Sequence, residues 1–155
     1  MFKNKGRVIK MKINVVKLRE GAKLPFKATE GSAGADLFAC IEEPKTIKTG
    51  EILFVPTGIA MEIPAGYGGF MFPRSSLACR YGISFPNCVG VIDSDYRGEI
   101  SAVLINQGKS DYTVNPGDRV AQMVIMPVES AEYMFAEELS DTGRGKGGFG
   151  STGKN

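Results

Sequence analysis

The amino-acid sequence predicts an all-β domain, and three observations carry that prediction. From Ile13 to about Val128 the chain is a series of short apolar stretches, each bounded by Gly, Pro, Asn or Asp. Its 20 glycines and 8 prolines in 155 residues exceed the usual share of turn formers but stay below that of a low-complexity chain. Only one clear helix candidate, residues 75–80, interrupts the strands, and it is short. Many short strands with frequent turns fold as a barrel or sandwich. A chain of this length forms one domain and buries a core without disulfides or a structural metal.

Taken in order, residues 1–11 (MFKNKGRVIKM) are basic and polar and read as a flexible lead-in, although Met11 could equally be a native start. The domain proper is expected over residues 12–140. Residues 13–18, 51–55, 59–63, 69–72 and 89–92 each read as a strand. The best strand candidates are 99–105 (EISAVLI) and 119–126 (RVAQMVIM). In the second, Val120, Gln122, Val124 and Met126 are expected on one face and Ala121, Met123 and Ile125 on the other. Residues 131–139 (AEYMFAEEL) have a helical composition at a position that suits a final strand. Residues 141–155 are too rich in glycine to pack a core and read as a mobile tail.

Composition also excludes chemistries. No histidine is present, so the chain supplies neither a Ser-His-Asp triad nor a histidine base or metal ligand. Cys40, Cys79 and Cys88 are odd in number and lack a C-x-x-C pair, which argues against a disulfide framework or zinc knuckle. The 19 basic and 17 acidic residues leave a formal charge of +2, no basis for nucleic-acid or membrane binding. With neither a signal peptide nor an apolar run of membrane-spanning length, a soluble, cytoplasmic protein is expected.

Five local patterns could carry chemistry. The tail sequence RGKGGFGSTG (144–153) offers converging backbone N–H groups, the charges of Arg144 and Lys146, the hydroxyls of Ser151 and Thr152, and a lone aromatic, Phe149, able to stack on a base. VGVIDSDYRGEI (89–100) reads as a β-hairpin in which Asp93 and Asp95 share a face unless the turn has already begun. In FPRSSLACR (72–80), Ser75 or Ser76 can cap a short helix whose start, beside Arg74, favours an anion. GSAGADL (31–37) leads to Asp36, and GDRVAQ (117–122) leads to Gln122. Each alone is equally the ordinary chemistry of turns and caps.

Together, and in this order, the five patterns closely resemble the five motifs of the trimeric deoxyuridine triphosphatases (dUTPases), over nearly the whole chain. The resemblance implies a distorted jelly-roll or β-barrel subunit with one short helix. It implies a homotrimer whose three active sites each draw on all three chains, with the glycine-rich tail of one closing over a site built by the others. The implied reaction is hydrolysis of dUTP to dUMP and pyrophosphate with Mg2+, which keeps uracil out of DNA and supplies dUMP for thymidylate synthesis. On that pattern residues 131–139 are a strand leading to the tail.

Carried over by position, Asp93 matches the acid that activates the attacking water, and a carboxylate ionised at neutral pH suits that task without histidine. Tyr96 matches the ring that packs on the deoxyribose and leaves no room for a 2′-hydroxyl. Asn87, with backbone groups of Val91, Ile92 and the returning strand near Ser101, matches the uracil-reading hairpin. Arg74, Ser75 and Ser76 match the phosphate-binding second motif, and Gln122 the fourth-motif phosphate contact. Asp36 matches the acid that holds waters of the magnesium. Phe149 with Gly150 matches the stacking segment, and Arg144, Ser151 and Thr152 the clamp on the terminal phosphates. Ser76 stands where many members carry glycine, and Cys88 beside Asn87 is placed to line the uracil pocket. A dCTP deaminase of related fold is opposed by the Tyr96 segment and the complete tail. A non-catalytic switch protein is opposed by the intact Asp93, which leaves a second role with a regulatory partner open.

Overall fold

A computed structural model describes residues 11–148. The described residues form eleven strands and one helix: β1 (Asn14–Lys17), β2 (Ala35–Phe38), β3 (Lys45–Ile47), β4 (Ile52–Pro56), β5 (Ile59–Glu62), β6 (Tyr67–Phe72), α1 (Ser75–Tyr81), β7 (Ile83–Ser84), β8 (Gly90–Ile92), β9 (Ser101–Asn106), β10 (Tyr112–Val114) and β11 (Arg119–Pro127). They assemble into four antiparallel sheets: β1-β5, β10-β3, β2-β11-β6-β8 and β4-β9-β7. The all-β expectation holds. The strands that escape the sequence pattern, β2, β3, β7 and β10, have only two to four residues each. So short a stretch shows no measurable alternation.

One core unites the sheets. Leu37, Ile47, Val55, Met61, Met71, Ile83, Leu104, Val114 and Met123 come from nine different strands and belong to a single buried cluster, with Leu77 added by α1. Strand β9 shows the alternation cleanly: Ala102, Leu104 and Asn106 are buried while Ser101, Val103 and Ile105 are half-buried. Strand β11 departs from the expected phase. Val120 and Ala121 are both buried because the register to β2 shifts between Arg119 and Ala121, a bulge that turns two successive side chains inward. Beyond the bulge Ala121 and Met123 are buried and Gln122 faces outward, as the period of two requires.

Three further local expectations are corrected. Strands β8 and β9 do not pair as a hairpin, because β8 bonds to β6 and β9 to β4 and β7, so the segment between them crosses from one sheet to another. The turn has begun at Asp93, whose carbonyl accepts the Tyr96 N–H at 3.2 Å, so Asp93 and Asp95 are not two strand positions on one face. Neither serine caps α1. Arg74 is the N-cap residue and no side chain closes that end.

Residues 131–139 form neither strand nor helix, and Tyr133, Met134, Phe135 and Leu139 are each at least 82% exposed. A strand needs a neighbour for its backbone hydrogen bonds, and none reaches this segment within the described chain. The other end of α1 is closed well. Gly82 adopts φ +70°, its N–H meets the Ala78 carbonyl, and any Cβ there would lie 2.6 Å from the Gly108 backbone.

The buried Asn106 side chain ties the end of β3 to the loop between β9 and β10. Its Nδ2 donates to the Ile47 and Ser110 carbonyls at 2.8 and 2.9 Å, and its Oδ1 accepts from the Gly108 N–H at 2.9 Å. Asn106→Ala would leave buried backbone groups unsatisfied and a small cavity. A loss of about 2–4 kcal/mol in urea unfolding, with the m-value unchanged, is the expected outcome.

Candidate active site

Strand β11 assembles the first part of the site. Gln122 lies opposite Asp36 of β2 on one side and Phe72 of β6 on the other. Three separate sequence patterns therefore meet in one row, and Pro73 and Arg74 follow directly from Phe72. The backbone of Asp36 is also held from its far side, where it exchanges hydrogen bonds of 2.8 and 3.0 Å with Phe26. Gly34 leaves room for the Gln122 side chain, since a Cβ would come within 3.1 Å of Gln122 Oε1. The Gln122 amide donates to the Pro73 carbonyl at 3.2 Å, steadying the chain just before Arg74.

These residues line a cleft of about 330 Å³ containing Asp36, Arg74, Ser75, Arg119 and Gln122. Arg74 Nε donates to Asp36 Oδ1 at 2.9 Å and Arg119 Nη1 to Asp36 Oδ2 at 3.0 Å. Two guanidinium groups against one carboxylate leave a net positive cleft with planar forks suited to phosphate oxygens. Arg119 is a site residue that the sequence patterns did not single out. The signal was present in GDRVAQ, three residues before Gln122, but the bulge after Arg119 is what aims it at Asp36. A larger hollow of about 630 Å³, bordered by Arg19, Lys23, Cys40 and Glu42, contains none of the motif side chains.

The remaining residues lie elsewhere on the same chain. Asn87, Ser76, Asp93 and Tyr96 are exposed, Ile92 is half-buried, and Val91 is 60% exposed on β8. Ser101, half-buried, pairs with Pro56 in a different sheet. Cys88 is exposed with φ +64°, in the turn after Asn87. In the four-stranded sheet β2 and β8 are the opposite edges. Three strand spacings separate them, roughly 14 Å, and Ile92 sits opposite Gly69, about 10 Å along the sheet from the Phe72 row. The patterns thus divide into two groups within one subunit: Asp36, Arg74, Ser75 and Gln122 at one corner, and Asp93 with Tyr96 beyond the other. Arg144 is exposed, its Nε donating to the Gly147 carbonyl at 2.8 Å. Phe149, Gly150, Ser151 and Thr152 lie outside the described residues.

The Asp93–Ile100 segment is internally braced. Tyr96 Oη donates to the Glu99 carbonyl at 3.1 Å, and the tyrosine ring covers Gly98 so closely that no Cβ could be added there. Arg97 Nη1 donates to the Ser94 and Tyr96 carbonyls at 2.7 and 3.0 Å. Arg19 grips Glu99 with two bonds, Nε to Oε1 at 2.7 Å and Nη2 to Oε2 at 2.8 Å, while the Gly58 N–H adds a third at 2.9 Å. The Arg19 fork, aided by Gly58, holds the Glu99 carboxyl below its ordinary value against the opposing effect of burial.

What fold and cleft together define is a β-domain with a cationic recess. A family model described as dUTPase matches residues 20–153. A deoxyuridine 5′-triphosphate nucleotidohydrolase of Desulfitobacterium hafniense is 53% identical over 94% of this chain and 97% of its own length. That of Hydrogenobaculum sp. is 50% identical over 92% and 99%. Among solved structures, the Staphylococcus bacteriophage 80alpha dUTPase with dUpNHpp superposes with a TM-score of 0.84 at 26% identity, covering 93% of this chain and 99% of its own. The chain belongs to the dUTPase family, and its fold is the family's jelly-roll type.

The depressed Glu99 carboxyl makes a pH prediction. A carboxyl lowered by folding stabilises the native state above its unfolded value of 4.5, and that contribution drains away as pH falls through the folded value. The Tm gap between the unaltered protein and Glu99→Gln should therefore be widest at neutral pH and narrow as pH falls below 4.5 toward the folded value, as followed by thermal melts.

Proposed function

We propose that this protein hydrolyses dUTP to dUMP and pyrophosphate in a homotrimer with composite active sites. The observation that carries the reading is the cleft in which Asp36, Arg74, Ser75, Arg119 and Gln122 converge from three separate sequence patterns. Supporting it, the relatives are deoxyuridine triphosphate nucleotidohydrolases along nearly their whole length, and the 80alpha enzyme carries a dUTP analogue.

In this reading the cleft receives the triphosphate. Arg74 and Arg119 turn from Asp36 to phosphate oxygens, Ser75 and Ser76 add hydroxyl or backbone donors, and Gln122 lies between the phosphates and the water. Asn87 and the backbone of Val91, Ile92 and Ser101 read uracil, and Tyr96 packs on the deoxyribose. Asp93 accepts the proton of a water that adds to the α-phosphorus while the bond to pyrophosphate breaks. The separation of roughly 14 by 10 Å between the cleft and the start of the Asp93 segment supports a reading in which these groups serve one site from different subunits. Exposed Tyr133, Met134 and Phe135 then pack on a neighbouring chain, where residues 131–139 gain the strand partner that a single chain lacks. Residues 141–155 follow as the tail that closes the site with Arg144, Phe149, Gly150, Ser151 and Thr152.

The donor set fits a magnesium ion carried by the substrate rather than caged by the chain. No group of three ligand-type side chains occurs among the described residues, whereas an ion that keeps its waters and rides on phosphates needs one nearby carboxylate, which Asp36 supplies. When bound it would neutralise phosphate charge. A structure of a phage phi11 dUTPase variant from S. aureus concerns the coordination of a structural Mg(II) ion, which is consistent with a divalent cation in the family. The physiological consequence is a pool low in dUTP, so that uracil stays out of DNA, with dUMP passed to thymidylate synthesis in the cytoplasm. No described helix is long and apolar enough to cross a membrane.

Two measurements test this. Pyrophosphate release from dUTP with Mg2+, run beside dCTP, dTTP and UTP, should be confined to dUTP, and Asp93→Asn should lower it by about 10²–10⁴-fold while dUTP binding by calorimetry persists. Near-normal turnover in that variant removes Asp93 from the role of base, and ammonia from dCTP moves the chain to deaminase chemistry. Truncation before Arg144 should cut kcat/KM about a hundred-fold or more with the trimer intact on a sizing column. Monomers in that experiment would show the tail to be an assembly element instead of a lid.

A further inference from the structure

We propose that Glu99 and Arg19 are positioning residues that set sugar specificity, by anchoring the segment that carries Tyr96. This role rests on the reading of Tyr96 as the ring that packs on deoxyribose. The anchoring itself is visible in the geometry. Between β8 and β9 the chain leaves one sheet for another, so residues 93–100 have no strand partner to fix them.

Their far end is instead bound to the turn between β4 and β5. The Thr57 N–H and Oγ1 donate to the Ile100 carbonyl at 3.1 and 2.6 Å, and the Ile100 N–H donates to the Ile59 carbonyl at 2.9 Å. Glu99 extends that grip through its side chain, taking the Gly58 N–H and both prongs of the Arg19 fork. Arg19 is carried by the chain just past β1, which is itself tied to this turn by the Leu18 N–H to the Gly58 carbonyl at 2.8 Å. Gly58 can present its N–H there only because it is glycine. Its φ is +72°, and a Cβ would meet Ala22 Cβ and Cys40 Sγ at 2.7 Å.

The consequence runs through one peptide. Fixing the Glu99 side chain fixes the direction of its carbonyl, and that carbonyl is the acceptor for Tyr96 Oη. With Gly98 close against the hydroxyl end of the ring, the tyrosine is held at its tip. A ring so held discriminates against a 2′-hydroxyl by steric exclusion, whereas a ring free to tilt admits it. The Arg19 side chain is 53% exposed, so it can be altered with little effect on the core.

The test measures kcat and KM of the full-length protein for dUTP and for UTP, with Tm alongside. Arg19→Met should raise the UTP:dUTP ratio of kcat/KM roughly ten-fold, the size of coupling usual between hydrogen-bonded neighbours, with Tm nearly unchanged. Arg19→Lys, which keeps the charge but not the fork, should lie between. Glu99→Gln should raise the ratio as Arg19→Met does, together with the neutral-pH loss of Tm already expected of it, and combining the two should add little to the ratio. An unchanged ratio, or equal proportional loss on both substrates together with a lower Tm, overturns the role. Should Arg19→Met fail to fold, the ratio in Glu99→Gln decides. If the unaltered protein releases no pyrophosphate from dUTP, the functional reading and this role fall together. If it does and the ratio stays fixed in the variants, this role falls alone.

Discussion

The pairing of β11 with both β2 and β6 is the constraint on which the molecule depends. A nine-residue strand lies between two shorter ones, and the register on each side is set by hydrogen bonds that cannot slip without turning the buried Ala121 and Met123 out of the core. That register places Gln122 between Asp36 and Phe72. The spacing of the cleft's polar groups is thereby a by-product of burying the strand's other face. The bulge beside Arg119 adds one adjustment, releasing that guanidinium to reach Asp36.

The electrostatics of the cleft follow from this packing. Asp36 and Arg74 have side chains only 14% and 22% exposed, so their attraction is screened less than that of a surface pair. With a second guanidinium on the same carboxylate, the free cleft is self-neutralised as far as one acid permits and retains one surplus positive charge. A polyphosphate can replace the carboxylate as partner of both arginines, giving each a bidentate acceptor of higher charge. Among the described residues no buried side-chain polar atom lacks a partner, so the site is a set of satisfied groups that exchange partners.

The segment from Asp93 to Ile100 obeys a different logic. Residues 93–100 belong to no sheet, and their shape is held by side-chain and turn hydrogen bonds from Arg97, Glu99, Thr57 and Gly58. A loop between sheets can be displayed at a subunit edge, where it can serve a neighbour's cleft. The exposed aromatic and aliphatic residues from Tyr133 to Leu139 make the same point from the other end of the chain, because so much apolar surface calls for a covering partner.

Much of this was legible in the residues. The seven stronger strands, the short helix, the lack of histidine chemistry and the five ordered motifs all follow from residue type and spacing, since turn formers and alternation act locally. Four of the motif residues, Asp36, Arg74, Ser75 and Gln122, do meet in one cleft. What the linear chain could not state is how they meet. The shortest strands, the bulge that recruits Arg119, the placement of β8 and β9 in separate sheets, and the Arg19–Glu99 brace all join residues distant in sequence. Arg19 and Glu99 are 80 positions apart. Only packing, which must bury one core and satisfy every enclosed polar group at once, decides which such partners come together.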